Sequence, residues 1–314
     1  MNPLEVNLQM ASMRRHKTDL SDAHELAKTH FKMERQPTYV QEDYYEQMRA
    51  LTRYYDEVDE EIIMLKSRMH AILHLSFPEL EKLITPSSAL FLNIVQLYPH
   101  PALLLQDSKT IIKNRLKSNT RKNLSLTRAE AKAVVLLEAA RNSYPAIKAN
   151  DIRCNQVRDY AARISDLLEK KVSLVKQMTE MSKDRKEYVV FSSIPGIGDS
   201  TACRLIGELG DISRFQNAKQ LNAYAGIDIM RYQSGNTLYR DRINKRGNKH
   251  LRKILYFMIC TMLMTKGKQN HFIDYYYKLK KQPQSKPHKV AIIACINKFL
   301  KVTFQLLTHS ILYD

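Results

Sequence analysis

The stretch YYEQMRALTRYYDEVDEEIIMLKSRMHAI, residues 44–72, spaces Tyr44, Met48, Leu51, Tyr55, Val58, Ile62, Leu65, Met69 and Ile72 at alternating steps of four and three. That rhythm keeps one apolar edge on a helix for about four heptads, the spacing of an a/d coiled-coil seam. A weaker stripe through Val157, Ala161, Ile164, Leu168, Val175 and Met178 supplies a second helix. It either pairs antiparallel with the first in one chain or joins it between subunits. Two amphipathic helices of an ordinary bundle core would give the same pattern, because periodicity does not separate a seam from a core face.

The eight glycines sharpen the division of the chain: Gly196, Gly198, Gly207, Gly210, Gly226, Gly235, Gly247 and Gly267 are all of them. Glycine supplies tight turns and close backbone approaches, so long helices are expected before Ser193 and the turns that touch something in the last third. Phe77 to Pro145 is interrupted by Pro78, Pro86, Pro99 and Pro101. It reads as a small helical insertion at about 77–150, with helix starts at Thr85–Ser88 and at Thr127 and no assignable chemistry. The fold expected is mainly α, with a coiled-coil or helical region over 41–187 and a turn-bearing helical domain over 188–314.

Charge narrows the partners. The 314 residues hold 50 Lys+Arg against 32 Asp+Glu, a formal net charge of +18, with 44% hydrophobic content for a core. The excess points to phosphate-rich partners, an anionic membrane surface being the competing reading. The longest apolar run, ILYFMICTMLM at 254–264, falls short of the ~18 residues a spanning helix needs. The N-terminus is too polar for a secretory signal, so a cytoplasmic location is expected. Cys154, Cys203, Cys260 and Cys295 are scattered without a C-x-x-C, which argues against a zinc site or a disulfide framework.

Two segments carry most of the chemistry. SIPGIGDSTACRLIGELGD, residues 193–211, has the pattern of a helix-hairpin-helix, with Ala202, Leu205 and Ile206 facing inward. Gly196, Ile197 and Gly198 would bring backbone amides close to a phosphate oxygen; a plain loop between helices is the alternative. From Arg231 to Lys268 there are ten Lys or Arg and one acid, Asp241. That imbalance suits a polyanion better than a solvated face.

Within this run Ser234 precedes Gly235. On spacing alone such a pair is a turn more often than a nucleophile, and no G-x-S-x-G elbow is present. Arg242, Lys245, Arg246, Lys249 and Arg252 nevertheless suit attack on a phosphodiester, where charge builds on the non-bridging oxygens. Tyr275, Tyr276 and Tyr277 serve either stacking on bases or the core. Near the N-terminus, RRHKTDLSDAHELAK (14–28) puts Asp19 and Asp22 three apart. They are candidates for part of a Mg²⁺ site, or an N-cap with an acid in the first helical turn.

Together these segments resemble the serine-dependent transposases of the insertion-sequence 110, 116 and 902 group. The resemblance runs from NP at 2–3 and KTDLSDA at 17–23 through IPGIG at 194–198, FQNAKQLNAYAGI at 215–227 and SG at 234–235 to RINKRGNKHLRK at 242–253. It implies a RuvC-like, RNase H-fold domain with four acids around Mg²⁺, then a coiled coil and a transposase domain whose serine becomes joined to a DNA 5′-phosphate. It further implies oligomers, dimeric or tetrameric, guided by a structured RNA. By match, Asp19 and Asp22 take the last two acidic positions and Ser234 the nucleophile. Gly196, Ile197, Gly198, Arg242, Lys245, Arg246, Asn248, Lys249 and Arg252 would engage nucleic acid.

The first two acids of the family pattern lie upstream of the NP segment and have no counterpart here. Residues 1–40 are accordingly expected to be an exposed helical remnant of the RuvC-like domain, its metal site incomplete unless Glu57 or Asp59 substitutes. Three readings compete: a DNA transposase truncated at its N-terminus, a non-catalytic DNA- or RNA-binding and oligomerising remnant, and a helix-hairpin-helix repair protein. The last leaves KTDLSDA and the SG and RINKRGNKHLRK segments unexplained.

Overall fold

The computed structural model describes residues 39–86, 88–118, 124–229, 242–265, 270–283 and 285–313, together with Leu20, Ala23, His24, Ala27, Lys28 and the backbone of residues 230, 233, 234, 237 and 238. The chain divides into two units, 1–43 and 44–314. In the first, Leu20, Ala23, His24, Ala27 and Lys28 have helical backbone and are exposed.

The second unit is built on two long helices, α1 (Asp43–Ser76) and α7 (Ile152–Ser182). They run antiparallel within one chain. Tyr44 OH donates to Ser182 Oγ at 2.9 Å, Lys171 pairs with Asp59 and lies 4.6 Å from the Tyr55 ring centroid, and Arg163 Nη2 reaches Glu61 Oε1 at 3.0 Å. Rising numbers on α1 thus meet falling numbers on α7. Met48, Val58, Ile62, Leu65 and Met69 of the predicted stripe are buried, while Tyr44, Leu51, Tyr55 and Ile72 are partly covered. Tyr45, Thr52 and Asp56 are buried as well, outside the stripe. The buried arc of α1 is therefore wider than a two-helix seam, because the helix is covered from two sides.

One cover is the insertion: α2 (Leu80–Leu83), α3 (Ala89–Leu97), α4 (Pro101–Leu104), α5 (Lys109–Ser118) and α6 (Leu126–Arg141). Phe77, Phe91, Tyr98, Ile112 and Leu136 join Ile62, Leu65, Met69 and Leu73 of α1 and Val157, Ala161 and Ile164 of α7 in one core. Ser88 starts α3 as expected, its Oγ accepting from Phe91 N at 3.1 Å. The start expected at Thr127 lies at Ser125 instead, whose Oγ accepts from Arg128 N at 3.3 Å. The earlier hydroxyl takes the cap and leaves Thr127 inside the first turn.

The other cover is the C-terminal body. Among the described residues it comprises α8 (Lys186–Ser193), α9 (Asp199–Leu209), a 3-10 turn (Ile212–Arg214), α10 (Ala218–Ala225), four two-residue strands, α11 (Lys249–Met264), α12 (His271–Lys280) and α13 (His288–His309). Ala202, Leu205 and Ile206 face its core as expected, against Leu255, Ile259, Phe272 and Phe299. Gly207 lets α9 cross α1 closely, since a Cβ there would lie 2.6 Å from the Met48 carbonyl oxygen and 2.5 Å from Thr52 Oγ1.

By length and composition α13 is apolar enough to cross a membrane, contrary to the sequence reading, which looked to 254–264. Half of its apolar window is buried in this core. Cys154, Cys203 and Cys295 are buried free thiols, and Cys260 is partly exposed. Burial pushes the Cys295 thiol up to about 11.

Candidate nucleic-acid interface

Among the described residues the basic segment forms two short antiparallel strand pairs, together called the ribbon, followed by a turn and a helix. β1 (Ile229–Met230) pairs antiparallel with β4 (Arg242–Ile243), and β2 (Gln233–Ser234) with β3 (Thr237–Leu238). Ser234 is opposite Thr237, so it occupies the last rung before the two-residue connection 235–236. A Gly-Asn pair between strands is the composition of a tight hairpin turn. Ser234 thus ends β2, opposite the first residue of β3.

The ribbon returns to the body through a tight knot of backbone. Asn244 N donates to Asp228 O at 2.9 Å, Lys245 N to Gly226 O at 3.0 Å and Asn248 N to Tyr224 O at 2.6 Å. Lys245 takes a left-handed φ of 59° and Gly226 one of 67°. Gly226 and Gly247 approach so closely that a Cβ on Gly247 would lie 2.4 Å from Gly226 N and 2.3 Å from Tyr224 O. No side chain fits there.

The predicted nucleic-acid residues of this segment separate into two groups. Arg242, Lys245, Arg246 and Lys249 are exposed. Asn248 and Arg252 turn inward. Asn248 Oδ1 caps α11, accepting from His250 N at 3.0 Å and Leu251 N at 3.1 Å, while its Nδ2 donates to Glu208 Oε2 at 2.5 Å and Tyr224 OH at 3.1 Å. Arg252 donates from Nη1 to Ala225 O at 2.8 Å and from Nη2 to Lys245 O at 3.3 Å. Burial holds its guanidinium below its usual range.

Glu208 was not singled out in the sequence, yet its side chain is fully buried at the meeting of α1, α9 and α11, with Arg53 Nε at 3.3 Å and Asn248 on it. Its signal was an acid set among Leu205, Ile206 and Leu209 on the apolar face of α9. One turn away Asp56, also buried, accepts from Arg204 Nη2 at 2.7 Å, with His250 Nδ1 at 3.6 Å and Lys253 Nζ at 3.8 Å. Two ionic groups therefore seat the first turns of α11 on α1.

The expected hairpin is a tight turn between α8 and α9. Ile197 N donates to Ile194 O at 3.1 Å, and Gly196 takes a φ of 95°. Ile197 is buried beneath the turn. Gly198 is the N-cap residue of α9 with open space where a Cβ would sit, and Asp199 in the first turn accepts from Tyr188 OH at 2.9 Å. Gly196 is closed in by Met262, whose Cγ would be 2.9 Å from an added Cβ.

Asp19 and Asp22 lie outside the described residues. Among the described residues no three His, Cys, Asp or Glu side chains converge as a metal site requires. Of the substitutes considered, Asp59 is engaged with Lys171 and Glu57 is exposed on α1. Tyr276 is buried with its OH 2.6 Å from His288 Nδ1, Tyr275 lies under Lys298, and Tyr277 is exposed.

Comparison with known proteins matches two parts of the chain. A family model described as "Transposase IS116/IS110/IS902 family" matches residues 189–277, the body from α8 into α12, and a second model described as "Transposase" matches residues 1–78. A "Pilin gene-inverting protein" of Moraxella bovis is 29% identical over 126 residues, covering 40% of this chain and 38% of its own. The "Insertion element IS116 uncharacterized 44.8 kDa protein" of Streptomyces clavuligerus is 23% identical over 271 residues, 85% of this chain and 64% of its own. The "Transposase for insertion sequence element IS1111A" of Coxiella burnetii is 34% identical over 79 residues, 25% of this chain and 22% of its own. The chain spans less than two thirds of the length of each of these relatives. The two matched models together span just over half of the 314 residues, and with the insertion-element relatives they place the chain in the IS116/IS110/IS902 family of insertion-sequence transposases.

Proposed function

We propose that the protein is a DNA recombinase in which Ser234 attacks a DNA phosphodiester. The supporting observation is Ser234 as the last residue of β2, in the segment that leads to exposed Arg242 on β4, exposed Lys245 and Arg246 in the turn after it and exposed Lys249 at the start of α11. In the step proposed, Ser234 Oγ loses its proton and forms a bond to phosphorus while the P–O3′ bond breaks. The departing oxygen takes up a proton as a 3′-hydroxyl, and the serine is left esterified to the 5′-phosphate. The cations would counter the charge growing on the non-bridging oxygens.

A bound Mg²⁺ would add Lewis-acid stabilisation of that charge. Asp19 and Asp22 are its proposed ligands, completed by carboxylates beyond those described. A structured guide RNA is proposed to choose the target. Since α7 already covers the stripe of α1 within one chain, assembly into dimers or tetramers would use outer faces such as that of Ile63 and Met64.

The test is a denaturing gel of protein incubated with Mg²⁺ and the DNA that flanks its own gene. A covalent adduct should form and be lost in Ser234→Ala, with mass spectrometry locating the nucleotide on Ser234. An adduct that persists in Ser234→Ala refutes the assignment. Binding with no adduct in either protein supports instead the reading of a non-catalytic, oligomerising nucleic-acid binder.

A further inference from the structure

The loop joining α12 to α13 is a second concentration of positive charge. Residues 275–313 contain seven lysines and no Asp or Glu. Lys278, Lys281, Lys286 and Lys289 are exposed, and among the described residues none of them is held in an ion pair.

The described residues of the connection are tied to the end of α12. Ser285 N donates to Lys281 O at 3.0 Å, Lys286 N to Leu279 O at 2.9 Å and Lys280 Nζ to Lys286 O at 2.9 Å. Beneath it the Tyr276–His288 contact at 2.6 Å fastens the first turn of α13 to α12. Four exposed like charges therefore lie on the last turn of α12 (Lys278), the connection (Lys281, Lys286) and the first turn of α13 (Lys289), where a solvated surface would normally intersperse signs. Lys289 even occupies the first turn of α13, where the helix dipole favours an acid. Repulsion of this kind weakens the free protein and is relieved by a polyanion.

We propose that Lys278, Lys281, Lys286 and Lys289 form a second contact for the sugar–phosphate backbone of nucleic acid, separate from the ribbon and its basic turn. The stretch 281–287, KQPQSKP, has no large apolar side chain to enter a lipid interface, which favours a phosphodiester over an anionic membrane. Exposed Tyr277 borders the lysines and supplies a face on which an unpaired base can stack. The proposal makes no use of Ser234 and survives if that residue proves inert.

Binding of the full chain to labelled duplex DNA and single-stranded RNA of about 30 units each, followed by anisotropy across a salt series, tests it. Replacing all four lysines by Gln should lower the slope of log K against log salt by about three to four on duplex DNA, or about three on single strands. Replacing them by Arg should preserve it. If the fourfold Gln variant melts early, Lys281→Gln/Lys286→Gln alone should remove about half of that slope change. Loss on one polymer only identifies which one the loop holds. Slopes unchanged on both polymers, or a loss seen only with phosphatidylserine vesicles, overturn the proposal. Arg242→Gln/Arg246→Gln/Lys249→Gln, measured alongside, reports on the ribbon independently.

Discussion

Asn248 Nδ2 donates to the fully buried carboxylate of Glu208 at 2.5 Å while Asn248 Oδ1 caps α11. One side chain thereby ends the basic turn, starts the basic helix and satisfies an ion under α1. Asn248→Ala should lose the cap and leave Glu208 short of a donor, together about 2–4 kcal/mol. Asn248→Asp keeps the cap but faces a carboxylate, and should be no more stable than Asn248→Ala. Urea unfolding midpoints decide the matter, and an unshifted midpoint for Asn248→Ala would show the pair to be immaterial.

Glycines of similar sequence setting should behave oppositely. Gly247→Ala puts a Cβ 2.3 Å from Tyr224 O and should destabilise the body by more than about 2 kcal/mol or prevent soluble expression. Gly198→Ala meets nothing within 4 Å and should melt near the parent. If the hairpin amides approach phosphate, Gly198→Ala should still bind DNA more weakly. Normal binding at normal stability would assign Gly198 to the turn alone.

Asp56 retains one principal partner, Arg204, in a buried setting. Arg204→Ala should cost about 3 kcal/mol, the lower end for breaking a buried pair, because His250 and Lys253 remain near. A loss below about 1 kcal/mol in chemical denaturation would place this pair among surface bridges.

Asp151, the N-cap of α7, is held down to about 2 by the Arg153 side chain and then by the Arg153 backbone amide. Its folded value is thus below the ordinary aspartate value of about 3.9. The stability it adds should be full above about pH 4 and disappear as pH falls toward 2. The melting difference between the parent and Asp151→Ala should therefore narrow over that acid window, while a difference independent of pH would assign the effect to something other than the carboxylate.

The sequence made the long helices legible because a repeat of four and three survives in any packing that covers one face. It left open what α1 packs against, since the same stripe suits α7 of its own chain or of another, and it underestimated the buried arc because Tyr45, Thr52 and Asp56 answer to a second neighbour. The turns were legible through glycine. The inward direction of Asn248 and Arg252 was not, for a polar side chain in a basic run looks alike whether it meets a phosphate or the protein's own carbonyls. Glu208 was hidden for the converse reason, an acid whose partners lie 155 residues upstream and 40 downstream.

The long pair α1 and α7 sets a ruler. The C-terminal body clasps α1 from Tyr45 to Glu60, whereas Leu73 and Phe77 at the opposite end belong to the insertion. Tyr45 to Leu73 spans about 42 Å at 1.5 Å per residue. Any rigid object that touches both ends must be about that long, which for B-form duplex at 3.4 Å per base pair is about 12 base pairs, slightly more than one turn. Lengthening both helices together by seven residues would move that footprint by about 10 Å, or about three base pairs. Protection mapping on DNA would then read the spacing between grips directly from the protein's own backbone.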